Sequence, residues 1–372
     1  MKIVIVGGHL SPALAIIDAL PEGVDVRFIG RKTAVEGDQS TSLEYREITS
    51  RNISFFPLTT ARVQRSLSRH TFPSIIRLPI GMYQAVEYLR REKPDVVLSF
   101  GGYLSVPVGF AAKILGIPLV IHEQTFHVGL ANKVLSSFAS RICISWESSK
   151  KYFPQSKTVL TGNPMRKFEM KNFPYVFSTS DEKLPLVYIT GGSTGSHVIN
   201  VLVEESIKDL LTSSRVIHQT GDTKEFGDYD KLNNFRKNLT EKEKGRYIIE
   251  KFIKPDTTGI IMKNADLVVS RAGMNTITEL LYFETPALLI PLQTGQKNEQ
   301  ILNAKFFASL DVGENLFQKG SSGKNFYMLL TRMLSELSRY QKGFEKAHKL
   351  IIEDAAKQVI AQMFYVVKKK TS

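Results

Sequence analysis

Apolar runs rich in β-branched residues recur along the chain, each ending in glycine or a polar residue and each followed by apolar positions at helical spacing. In the first half they are Lys2–Val6, Val24–Ile29, Asp95–Phe100, Pro118–Ile121 and Ile142–Ser145. Such runs lack the polar alternation of a half-solvated strand, so they predict strands of a parallel sheet covered by helices on both faces. After a break the rhythm resumes in Pro185–Thr190, Arg215–Gln219, Tyr247–Glu250, Asp266–Val269 and Ala287–Pro291. The fold class expected is α/β: two doubly wound, Rossmann-like domains over residues 1–163 and 164–349. Gly162–Pro185, with Pro164, Pro174, Pro185 and a polar patch at Ser178–Asp181, has the composition of a hinge. Ile351, Ile352, Ala355, Ala356, Val359, Ile360, Met363 and Phe364 share one helical stripe ahead of Lys368-Lys369-Lys370. Residues 350–372 are therefore expected to form an amphipathic helix that packs back on the first domain.

Composition narrows the function. At 372 residues, 42% hydrophobic and 23% charged, the chain has the make-up of globular domains, which excludes a disordered, collagen-like or disulfide-stapled protein. Its one cysteine, Cys143, has no intrachain partner and no zinc-ligand spacing around it, which fits a reducing compartment. No apolar stretch approaches the ~20 residues that span a bilayer. The opening run to Val6 stops at Gly7-Gly8, too short for a signal peptide. Lys and Arg number 49 against 36 Asp and Glu, a formal charge of +13 that favours anionic partners: nucleic acid, a membrane face or phosphorylated substrates. Without a helix-turn-helix, zinc or RNA-recognition signature, nucleic acid is not expected.

The chemistry concentrates in glycine pairs placed directly after strands. Gly7-Gly8-His9 follows IVIV, Gly101-Gly102-Tyr103 follows VVLSF, and Gly191-Gly192-Ser193-Thr194-Gly195 follows LVYIT. At the carboxyl ends of parallel strands, glycine admits a close approach of backbone to ligand, and the next helix offers unpaired N–H groups to phosphate. Three such loops, spread over both halves, predict a cleft for phosphorylated groups. None is followed by Gly-Lys-Ser/Thr and none spells G-x-G-x-x-G, so neither an ATPase nor a dehydrogenase is indicated. A fourth cluster, Ser270-Arg271-Ala272-Gly273-Met274-Asn275-Thr276-Ile277-Thr278-Glu279, puts a carboxylate on a helix after a strand, where it could accept hydrogen bonds from a ribose diol.

The order of GGH…P, FGGY, HEQ, GL.NK, GNP.R, GGS.G, R.G….E and Q..NA resembles the MurG family of inverting glycosyltransferases, with its GT-B fold of two facing Rossmann-like domains. The likeness runs from Met1 to about Gly313. It implies transfer of N-acetylglucosamine from UDP-N-acetylglucosamine to the polyprenyl-diphosphate-linked acceptor lipid I, in peptidoglycan synthesis. On the donor side it implies Ser193, Thr194 and Gly195 at the diphosphate, Arg166 beside it, Phe252 at the uracil, Glu279 at the ribose and Gln300 at the sugar. Arg271 and Gly273 belong to the same donor segment. On the acceptor side it implies Gly7, Gly8, Gly101, Gly102, Tyr103, Gln124 and Asn132. Two departures fall here. The family's usual GGTGGH is shortened to Gly7-Gly8-His9, and HEQN has become HEQT with Thr125.

Inverting transfer needs a base at the acceptor hydroxyl. An imidazole suits that task near neutral pH, so His9 is the candidate base, with Glu123 and His122 as alternatives. The amides of residues 191–196 together with Arg166 can stabilise the leaving diphosphate, and no clear Asp-x-Asp metal site is seen, so no cofactor or strict divalent-metal requirement is expected. Arg51–Leu78 holds Arg51, Arg62, Arg65, Arg69 and Arg77, with no acidic residue, among Phe55, Phe56, Phe72, Ile75, Ile76 and Leu78. This stretch predicts peripheral attachment to the cytoplasmic face of an anionic membrane. Two other readings stay open: a UDP-sugar transferase acting on another membrane lipid, which the shortened loop favours, and a non-catalytic membrane scaffold, which the coexistence of donor and acceptor motifs disfavours.

Overall fold

The computed structural model describes residues 1–33, 41–59, 71–168, 172–178, 181–221, 225–293 and 298–371, with 71–78 and 371 as backbone alone. The chain forms two compact units, one of Met1–Arg166 with Ile352–Ser372 and one of Lys167–Ile351.

The first unit is built on seven parallel strands: β1 (Lys2–Val6), β2 (Asp25–Gly30), β3 (Ser54–Pro57), β4 (Val96–Ser99), β5 (Leu119–Glu123), β6 (Arg141–Ile144) and β7 (Thr158–Leu160), in the order β3-β2-β1-β4-β5-β6-β7. Its double cover follows from the period of a strand. Ile3 and Ile5 of β1 pack with Ile16 of helix Leu10–Ala19 and with Val359 and Met363 of helix Ala355–Thr371. Val4 and Val6, pointing the other way, pack with Ala85 and Leu89 of helix Thr71–Glu92 and with Val108 and Ala111 of helix Ser105–Ile114. One face of the sheet is therefore completed by the far end of the chain.

The second unit has six parallel strands: β8 (Leu186–Thr190), β9 (Arg215–Gln219), β10 (Tyr247–Glu250), β11 (Leu267–Ser270), β12 (Ala287–Leu289) and β13 (Gly313–Asn315), in the order β10-β9-β8-β11-β12-β13. In both sheets the third, second and first strands are followed by the fourth, so the order reverses between the first strand and the fourth. Such switch points leave a crevice at the carboxyl ends of the two strands. The loops after β1 and β4 meet at one of them, and those after β8 and β11 meet at the other.

Three strands were not legible as apolar runs. β3 and β7 are edge strands, partly solvated and three or four residues long, and β13 closes the other sheet over only three residues. The stretch expected to meet a membrane is described only in part. Arg51 is neutralised by Glu47 at 2.9 Å and Asp18 at 3.7 Å. Phe55 stacks on Phe28 and meets Tyr45 edge-on, while Phe56 packs against Tyr88. Phe55 and Phe56 belong to a sheet edge, and Arg51, in the turn before it, is ion-paired. Arg62, Arg65 and Arg69 lie outside the described residues, and Phe72, Ile75, Ile76, Arg77 and Leu78 lie on a helix known there by its backbone.

Candidate functional site

At the switch point of the first unit, the loops after β1 and β4 interlock. A Cβ at Gly8 would stand 2.4 Å from the carbonyl oxygen of Gly101, and one at Gly102 would touch Gly8 Cα at 3.4 Å. Gly101 and Gly102 both have φ of +80°, the left-handed region that favours glycine. His9 caps the helix that follows, yet its side chain makes no capping hydrogen bond. The imidazole is half-buried, and burial lowers its pKa to about 4, so at neutral pH it is an unprotonated acceptor.

His122, Glu123, Gln124 and Asn132 are also close to this point, but all four are buried, and His122, Glu123 and Asn132 are hydrogen-bonded through their side chains. His122 is wholly buried, its Nε2–H donates to the Gly162 carbonyl at 3.0 Å, and burial lowers its pKa to about 4. Glu123 accepts four hydrogen bonds: from the Thr125 N–H and Oγ1 on one oxygen, and from the Gly129 N–H and Asn132 Nδ2 on the other. With its lone-pair directions filled, this carboxylate holds the loop after β5 and is poorly placed to accept a substrate proton. Asn132 also donates to the His122 carbonyl at 3.0 Å, and its amide lies under the Gly101 turn. Gln124 is buried, and its carbonyl accepts from Trp146 Nε1 at 2.9 Å. Thr125, at the departure from HEQN, supplies two of the donors to Glu123, so the substitution is absorbed inside the loop. Of the three base candidates His9 is the half-buried one and makes no capping hydrogen bond, while His122, Glu123 and Asn132 position the glycine loops. Tyr103 and Arg166 are half-buried and belong to the same unit.

The second unit presents its loop differently. Gly192 N–H donates to Thr190 Oγ1 at 3.0 Å and Gly195 N–H to the Gly192 carbonyl at 3.0 Å, folding residues 191–195 into a tight turn. Ser196 caps the helix His197–Ser213 by accepting from the Ile199 N–H. A Cβ on Gly195 would lie 2.0 Å from the Thr220 carbonyl oxygen, and the residue has φ of +80°. Ser193 and Thr194 stand exposed at the tip, ahead of a helix of 17 residues whose N-terminal amides and dipole favour an anion.

From the facing loop after β11, Arg271 donates to the Ile290 carbonyl at 3.0 Å, and Gly273 caps helix Met274–Tyr282, on which Glu279 is half-buried. Glu279 lies near enough to Tyr188 of β8 to help raise the phenol's pKa, though burial is the larger cause. Gln300 is turned toward its own chain, its Oε1 accepting from the Leu292 N–H at 2.9 Å. Phe252 is 47% exposed in the segment after β10, an aromatic face open to a base.

Several positioning residues were not legible. Gln219, buried at the end of β9, donates to the Gly192 carbonyl at 2.9 Å and accepts from the Ile253 N–H at 3.1 Å, tying the glycine turn to the segment of Phe252. A hydrogen-bonded line runs from His197 through Asp228 and Asn200 to His218 and Tyr247. It accounts for Asp228-Tyr229-Asp230, an Asp-x-Asp spacing that sequence reading passes over: both Asp228 oxygens are bonded, to His197 and to Asn200, each at 2.8 Å. The only local signal was at His218 and Gln219, polar residues closing the apolar run of β9.

Comparison with known proteins follows this division. The Glycosyltransferase family 28 N-terminal domain matches residues 6–144 and the C-terminal domain of that family matches residues 186–359. A protein of Clostridium botulinum (strain Kyoto / Type A2), named UDP-N-acetylglucosamine--N-acetylmuramyl-(pentapeptide) pyrophosphoryl-undecaprenol N-acetylglucosamine transferase, is 32% identical over 360 residues, covering 93% of this chain and 94% of its own. A Clostridium perfringens protein of the same name is 35% identical over 315 residues, 82% of each chain. The crystal structure of Acinetobacter baumannii MurG superimposes with a TM-score of 0.72 at 25% identity, covering 98% of this chain and all of that one. The calicheamicin glycosyltransferase CalG4, at 12% identity and a TM-score of 0.69, shares the fold.

Proposed function

The chain belongs to glycosyltransferase family 28, and from that premise we propose that it transfers N-acetylglucosamine from UDP-N-acetylglucosamine to the lipid-linked muramoyl-pentapeptide acceptor named in its relatives. The observation that carries this reading is the second unit's switch point. An open glycine turn ahead of a long helix, a half-buried carboxylate on the opposite helix and an exposed aromatic ring suit the diphosphate, ribose and base of a uridine nucleotide. Ser193, Thr194 and Gly195 take the diphosphate, Glu279 accepts from the ribose hydroxyls, Phe252 covers the uracil, and Gln300 reaches the donor sugar.

In the first unit His9 takes the proton of the attacking acceptor hydroxyl. Its lowered pKa keeps the lone pair available at neutral pH but makes the imidazole a weak base, suited to a proton that leaves as the bond to the anomeric carbon forms. The charge that develops on the departing UDP is met by the amides of the glycine turn. A lipid-linked acceptor requires the protein to work at a membrane surface. Among the described residues no helix is long and apolar enough to cross one, and we place attachment on helix Thr71–Glu92, where Ile80 and Tyr83 are 46% and 71% exposed.

The test is radiolabel transfer from UDP-N-acetylglucosamine to a short-chain lipid I analogue, with UDP-glucose and diacylglycerol as controls. Labelled product from the first pair supports the reading. Product only with diacylglycerol assigns the chain to the alternative membrane-lipid acceptor, which the shortened first loop favours.

A further inference from the structure

Gln219 ends β9, the strand that lies between β8 and β10, and it pairs in register with Thr190 on one side and Glu250 on the other. Immediately beyond those two partners begin the glycine turn and the segment of Phe252. The side chain is buried, and both ends of its amide are used. Nε2 donates to the Gly192 carbonyl at 2.9 Å, while Oε1 accepts from the Ile253 N–H at 3.1 Å and from the Tyr188 hydroxyl at 3.4 Å. Such a bridge needs a donor and an acceptor on one head group. An ionised glutamate lacks the donor, and methionine keeps only a weak acceptor.

The bond to Gly192 has an electrostatic consequence. That carbonyl also accepts from the Gly195 N–H at 3.0 Å, so both of its lone-pair directions are filled from within the protein. Its negative end is thereby kept from a phosphate seated on the turn. Released from Gln219, the peptide can rotate and set that oxygen against the phosphate charge, because Gly192, at φ of +87°, has the backbone freedom to allow it. At the other end, the Ile253 amide fixes the residue next to Phe252. We propose that Gln219 is a positioning residue that makes recognition of the base and of the diphosphate interdependent. A base seated against the segment of Phe252 steadies the amide of Gln219, and that amide steadies the turn that receives the phosphates. The inference rests on the donor-site reading above, and by linkage the effect runs equally in both directions. Its consequence is specificity: the turn takes a diphosphate attached to a base in preference to one without.

Calorimetric binding of UDP and of an abasic ribose diphosphate tests this in the parent and in two variants. Gln219→Glu keeps an acceptor for Ile253 and loses the donor to Gly192, whereas Gln219→Met releases both ends. The preference for UDP over the abasic ligand is expected to fall by about fivefold or more in both variants, the low end of coupling between two sites. A preference unchanged in both means that Gln219 is only structural, since general loosening weakens the two ligands alike. A fall in Gln219→Met alone means that the residue serves the base segment and not the turn. Either result overturns the proposal. If the parent binds neither ligand, the donor reading fails, and hydrogen exchange in the ligand-free protein still judges the bridge. Gln219→Met must then speed exchange of the Gly195 and Ile253 amides together, and a change at one of them alone overturns the bridge. Should either variant fail to fold, Gln219→Asn, too short to span both bonds, takes its place under the same expectation.

Discussion

At the scale of single residues, the site is divided between side chains that face solvent and side chains that hold them. His9 and Glu123 mark the difference, although both are candidate bases by residue type. His9 is half-buried with no capping bond, whereas Glu123 is buried and receives four donors. The expected outcome is that His9→Gln lowers kcat by about 10²-fold or more with UDP affinity unchanged, the usual loss for a positioned base. The parent kcat should stay level from neutral pH down through the ordinary histidine range and fall only as pH nears the His9 value of about 4. A midpoint at 6.5 would show that His9 does not titrate as the working base. Glu123→Gln, by contrast, should cost about 1–3 kcal/mol of stability for donors left with a poorer partner, read as a lower melting temperature, and leave the shape of the pH profile intact. The identity of both residues was legible in the motifs. Their roles were not, since burial and the number of donors depend on Gly129 and Asn132, which come from another element.

Elements decide where the loops go. Each sheet reverses strand order between its first and fourth strands, and the glycine loops sit at those two places because close approach of backbone to backbone excludes side chains there. The turn after β8 gives the sharpest case. Gly195→Ala would set a Cβ against the Thr220 carbonyl oxygen at 2.0 Å and force an L-residue into φ of +80°. The turn must then shift, and the expected cost is about 2–4 kcal/mol of stability with loss of UDP binding. Differential scanning calorimetry with and without UDP reads both effects. A variant that melts like the parent and keeps its ligand-induced stabilisation would show that the turn has slack. The glycines themselves were visible in the sequence, as was their place after strands. The backbone they touch, on a neighbouring strand's loop, was not.

For the whole molecule, each unit holds, among the described residues, one fully buried imidazole kept neutral by its surroundings: His122 in the first and His218 in the second. Burial lowers them from an ordinary 6.5 to about 4 and about 3. The unfolded chain therefore takes up these protons before the folded one does. Their contribution is complete above pH 6.5 and is lost progressively as pH falls through the interval toward the folded values, at about 1.4 kcal/mol per pH unit for each imidazole. Both units should lose stability together between neutrality and pH 5. Denaturant unfolding at a series of pH values measures this, and His218→Asn should remove the slope from the second unit alone. An unchanged slope there would mean that the imidazole is not held neutral.

What the sequence determined by itself was whatever is written in neighbouring residues. The ten apolar runs that became strands, the glycines that follow some of them and the stripe of the C-terminal helix are all local patterns, readable because strand and helix periods act over a few positions. Tertiary structure decided the rest. The edge strands β3, β7 and β13 are too short and too solvated to be written as hydrophobic runs, and they form because a neighbouring strand offers unpaired backbone. Gln219 and Asp228 gained their roles from partners many positions away, at Gly192 and His197. A hydrogen bond or a repulsion depends on separation in space. The folding of the chain sets that separation, and no local period of residues encodes it.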